Sequence, residues 1–229
     1  MSAPIPSPPI ASAAPPAPRR FWLQIALVYA ALEGALWTLH ITRAFWSGAA
    51  MGLILAFTLA ERNLWPNLGI APRRIRQGWW IAPAGLGLAL LIVALGDQLG
   101  TLHQLFGPKI VYWHVLGYAV WSLVQEFIAQ GFFFLRLEAL LRSAPKAVAA
   151  NAALFALAHL PSPVLFAVTL AGGAILSELF RRYRTIYVLA VAHIVVALSI
   201  AVTVPAPILR NMRVGIGYLR FHPAPVDKR

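Results

Sequence analysis

The chain contains no cysteine, which excludes a disulfide framework, a thiol nucleophile and a thiolate metal site. It is also short of charge. Only 11% of its 229 residues are Asp, Glu, Lys or Arg, whereas soluble domains carry about 25%. With 60% hydrophobic residues, the composition excludes an ordinary soluble globule and predicts an all-α, polytopic transmembrane helical bundle. Acids are scarcest, seven against nineteen Lys and Arg, for a net charge of +12. In a soluble protein that excess would point to nucleic acid. Here the basic residues fall between apolar runs, the pattern of membrane topology, so the expected surroundings are a lipid bilayer and no nucleic acid. The chain also has no apolar run ahead of a cleavage site near its start. Residues 1–20, with seven prolines among Ala and Ser, read as a disordered tail and not a signal peptide.

What is present is a series of apolar runs, at about 21–41, 45–60, 79–95, 113–141, 147–159, 164–180 and 186–203. This predicts about seven spans (six to eight) in one transmembrane domain, 21–203, followed by a basic tail, 204–229, carrying Arg210, Arg213 and Arg220. With the N-terminus in the cytoplasm, the cytoplasmic segments hold twelve Lys and Arg, Arg136 among them, and the external loops only Arg43 and Lys109, as the positive-inside rule requires. Seven spans would put the basic tail outside, against that rule. Either residues 203–220 fold back into the protein or one span is miscounted.

The run 113–141 carries polar groups where a membrane helix can least accommodate them. His114, Tyr118, Ser122, Glu126 and Gln130 are spaced by four, so they form one stripe along a helix, with Gln125 beside it. A carboxylate inside an apolar span is costly unless it faces protein or water, and marks a candidate site. From a rise of about 1.5 Å per residue, Glu126 lies ~15 Å from Arg136, His193 ~13 Å from Arg184 and His159 ~20 Å from Lys146. In a hydrocarbon core about 30 Å thick all three reach similar depth, and they are expected to face one cavity open towards the cytoplasm. Such groups could activate water against a carbonyl and stabilise the oxyanion, or bind a divalent metal. No HExxH-type spacing separates these chemistries, and no cofactor is otherwise implied.

On these motifs, residues 110–203 resemble the CPBP family of intramembrane proteases, which includes eukaryotic CAAX prenyl endopeptidases of the Rce1 type and bacterial abortive-infection proteins. Its second motif, FxxxH, stands as Phe155-Ala156-Leu157-Ala158-His159. Its third begins at His193 and ends in Ala197 where the family has Asn or Asp. Its first, EExxxR, appears as Gln125-Glu126-Phe127-Ile128-Ala129-Gln130. The resemblance implies an endopeptidase in the bacterial inner membrane acting on a membrane-associated or lipidated peptide, with Glu126, His159 and His193 catalytic and Gln125, Gln130, Ser122 and Phe155 supporting. In that scheme Glu126 and His159 activate the water and His193 donates to the oxyanion. Gln125 stands where the family has its water-activating Glu, and an amide cannot be a general base. A catalytically inactive member that binds a membrane partner is therefore the alternative reading. A transporter or lipid-binding protein with a polar midplane site is a third, but the sequence has no inverted repeat to support it.

Overall fold

The computed structural model describes residues 19–103 and 111–221. Residues 1–18 of the predicted tail, the 104–110 connection with Lys109, residues 222–229 and the side chain of His114 lie outside the described residues. Every element among the described residues is helical. Each predicted apolar run forms helix. The first two are α1 (Arg20–Trp37) and α2 (His40–Ala60). Short 3-10 turns and α3 (Ile75–Gly78) then lead to α4 (Ile81–Gln98). Next, α5 (Val111–Glu126) continues without a break through a π-helix (Phe127–Phe134) into α6 (Leu135–Leu141). The remaining runs are α7 (Ala144–Leu157), α8 (Pro163–Tyr183) and α9 (Tyr187–Thr203). Pro145 and Pro163 sit in the first turns of α7 and α8, where the missing N–H costs nothing.

These seven segments alternate in direction. α2, α4 and α8 are each long and apolar enough to cross a membrane, and α9 qualifies as a fourth when joined to the segment bent 120° from it. α7, with 14 residues, reaches only about 21 Å. So the helical bundle stands, and three or four of its segments meet the length and composition of a span.

Helices in lipid gain little from burying apolar surface against one another, so they associate where small residues let backbones approach. α4 lies along α9, and α7 along α8. Any Cβ at Gly85 would stand 2.8 Å from the Cα of Ala192, and one at Gly173 would stand 3.3 Å from that of Ala152. Outward faces are left to Leu86, Leu88, Leu90, Leu91 and Leu95 on α4, all exposed. The centre is aromatic: Phe132 and Phe134 are fully buried, with Phe134 edge-on to Phe180 and Phe133 edge-on to Tyr29.

One end of the bundle collects charge. Glu61 accepts two hydrogen bonds from Arg20, at 2.6 and 2.7 Å, and one from Gln24. Arg184 meets Glu138, and Glu178 meets Arg181 and Arg182. Arg136, counted above among the Lys and Arg of the cytoplasmic segments, is fully buried. Its Nε donates to Gln24 at 2.7 Å, its Nη1 donates to the Phe132 carbonyl, and its guanidinium lies 3.7 Å from the Phe132 ring centroid. It fills the interior between α1 and the long helix.

At the opposite end the tail does fold back. α10 (Ala206–Leu209), a 3-10 turn (Arg210–Met212) and α11 (Gly215–Leu219) turn over the bundle, α11 against α1 and α10 against α8. Gly215 donates its N–H to the Leu160 carbonyl at 2.8 Å. A side chain at 215 would run into the Leu36 carbonyl, so only glycine lets the tail lie this close.

Candidate functional site

The long helix brings Glu126 to the centre of the bundle at 1% exposure. One carboxylate oxygen accepts from His193 Nδ1 on α9 at 2.8 Å. The other accepts from Gln130 Nε2 in a long bond of 3.4 Å. A carboxylate is acceptor-only, so the proton on His193 sits on Nδ1 and Nε2 is left as an acceptor. His159, just past the end of α7, donates Nδ1–H to the Phe155 carbonyl at 2.7 Å, which likewise leaves its Nε2 as an acceptor. The Phe155 ring stands edge-on to both imidazoles, with centroids 4.8 Å from His159 and 6.0 Å from His193.

Two cavities meet here. The larger, about 690 Å³, is lined by Tyr29, Trp121, Gln125, Asn151 and His159 among others. The smaller, about 440 Å³, is lined by Tyr118, Gln125, Thr169, His159 and His193. Trp121, Gln125, Phe155, His159, Met212 and Val214 border both. Neither of these two cavities is lined by Glu126. The structure therefore brings His159, His193 and Gln125 to the cavity wall and sets Glu126 behind His193. The charged lining residues of the larger cavity, Arg43 and Arg213, belong to the end where α1 and α9 finish, away from the basic turn at Arg181–Arg184. Among the described residues no three His, Asp or Glu side chains group as metal ligands. The set Glu126, His159 and His193 holds one carboxylate–imidazole pair and one separate imidazole.

Residues 107–199 match the family model of the type II CAAX prenyl endopeptidases, the Rce1-like family. That segment is similar to the Rce1-like domain. The family is one of peptidases, and with the apolar helices it makes this an integral membrane protein. No curated protein and no solved structure matches the chain significantly.

The Rce1-like segment spans the long helix, α7, α8 and most of α9, and all three motifs converge within it. Gln125 of the first motif points into the cavities, and its neighbour Glu126 points to His193, as the roughly 100° between successive helical residues requires. Of the supporting residues, Phe155 touches both histidines, while Ser122 and Gln130 are buried behind the cavity wall. One participant was missed. Asn151 is 2% exposed and donates to Ser177 at 2.8 Å and to Gln130 at 3.4 Å, tying α7 to α8 and to the π-helix. The signal was present: Asn151, Phe155 and His159 are spaced by four and share one helix face.

Proposed function

We propose that this protein is an intramembrane endopeptidase that hydrolyses a peptide bond of a membrane-associated or lipidated substrate, with Glu126 and His193 working as a dyad. The observation that carries this reading is the 2.8 Å bond from His193 to the buried Glu126, which turns the other imidazole nitrogen to a cavity shared with His159. Water in that cavity is held between the Nε2 atoms of His193 and His159. His193 takes a proton as the oxygen attacks the carbonyl carbon, and Glu126 stabilises the imidazolium that forms. The Gln125 amide, a donor where a carboxylate would repel, turns an N–H to the developing oxyanion. His193 then returns the proton to the leaving amine.

Glu126 thus acts by positioning His193, whereas the motif order alone assigned it the water. Gln125 also favours a second reading, a binder without catalysis, because it lines both cavities at the place of the family's acid. Cleavage of a lipidated peptide by the reconstituted protein separates the two. Glu126→Gln should lower kcat on the order of 10²-fold or more, the scale of general-base catalysis, with KM and melting temperature nearly unchanged. His193→Ala and His159→Ala should do the same. If the natural protein is silent and Gln125→Glu with Gln130→Arg restores cleavage, the binder reading replaces the enzyme. If the natural protein cleaves and Glu126→Gln is neutral, the dyad is wrong.

A further inference from the structure

The backbone that crosses the site is extended: Arg213 has φ −74° and ψ 147°, and Val214 has φ −129° and ψ 168°. Its next residue, Gly215, donates its N–H to the Leu160 carbonyl, one residue beyond His159. Met212 and Val214 line both cavities. This stretch is held down from both sides. Arg210, Asn211 and Met212 all have positive φ, at 50°, 52° and 56°, a left-handed run of non-glycine residues that persists only where surrounding contacts impose it. Arg210 closes the turn by donating to the Tyr218 carbonyl at 2.8 Å and stacking 4.1 Å over its ring.

Two extended residues, Arg213 and Val214, lead into Gly215, at φ 55°, whose N–H goes to a fixed carbonyl beside a histidine, and backbone hydrogen bonding of this kind is how a cleft holds a peptide. An acyl chain has no donor to offer that carbonyl. We propose that residues 213–215 occupy the groove that a peptide substrate takes, so that the C-terminal segment is an internal competitor and withdraws before a peptide binds. The identity of the displaced ligand rests on the endopeptidase reading; the covering of the cavity does not.

The absence of native cysteine makes the test direct. Ala158→Cys places a single thiol on the wall of the larger cavity, and its rate of maleimide labelling in the full-length protein reports cover. Adding Gly215→Ala drives a Cβ into the Leu36 carbonyl at a positive φ. Labelling should then accelerate about tenfold, the effect of a penalty the size of a left-handed residue's. Arg210→Gln, which removes the turn closure and introduces no clash, should accelerate it too and serves where Gly215→Ala does not fold. A synthetic peptide of residues 210–219 should slow labelling of the released variants. Equal rates in Ala158→Cys with and without both changes would overturn the covering. Faster labelling that the peptide leaves untouched would overturn competition. Released variants that bind the peptide yet never cleave a lipidated substrate would uphold the competitor and remove the endopeptidase reading.

Discussion

Glu61 and Glu126 are both nearly inaccessible, at 2% and 1%, yet they are held by different partners. Glu61 stands just past α2, against Arg20 and Gln24. Burial pushes its carboxyl up, but the hydrogen bonds from Arg20 and Gln24 and the charges of Arg20 and Arg136 outweigh it and hold the group below its ordinary value. Below the ordinary value the unfolded chain binds the proton more readily than the folded one. The stability Glu61 contributes is therefore complete above the ordinary carboxylate range and is lost as the pH falls through its folded value. The contribution of Glu61 to thermal stability in detergent, read as the difference between the natural protein and Glu61→Gln, should be constant from pH 7 to about pH 5 and shrink below that. Glu126, His159 and His193 were legible in the sequence because an ionisable group in an apolar span is expensive. The burial of Glu61 and Arg136 was not, because their partners lie 41 and 112 residues away and a charge near a loop reads as solvated.

At the scale of elements, the helices were legible from apolar runs and proline positions, and their ends differ from expectation by a few residues. The π-helix was not. Its residues, Phe127–Phe134, have no composition that separates π from α. The wider turn lies in a crowded interior, where a Cβ at Gly131 would stand 3.2 Å from the Leu68 carbonyl and three successive phenylalanines are buried together. π segments commonly sit at functional sites, and here the segment sets the phase between the site and the aromatic core. Deleting Ala129 should shift Glu126 in phase relative to Phe132–Phe134, by up to about 100°. The expected result is a protein that inserts and keeps its helical content but loses the Glu126–His193 bond, and with it cleavage by about 10²-fold or more. Circular dichroism beside the peptide assay checks both halves of that expectation.

For the whole molecule, the positive charge at one end supports a cytoplasmic placement of Arg20, the 62–76 region and the Arg181–Arg184 turn. Reporter fusions at residues 70 and 183 should both read cytoplasmic, and an external signal at either would reverse the bundle. The sequence left two outcomes for the basic tail, and charge counting could not choose between them. The choice rests on the glycine at 215, whose fit against Leu36 is visible only once α1 and α11 are side by side. The distribution of ion pairs carries a consequence for ionic strength. The pairs of Glu178 with Arg181 and Arg182 sit at the basic end and are partly open to water. At about 1 M salt the Debye length shrinks to ~3 Å, and those attractions fade. Glu126 and His193, shielded by the bundle, are left as they were. The molecule has a salt-sensitive half and a salt-indifferent half, and its site is built into the second.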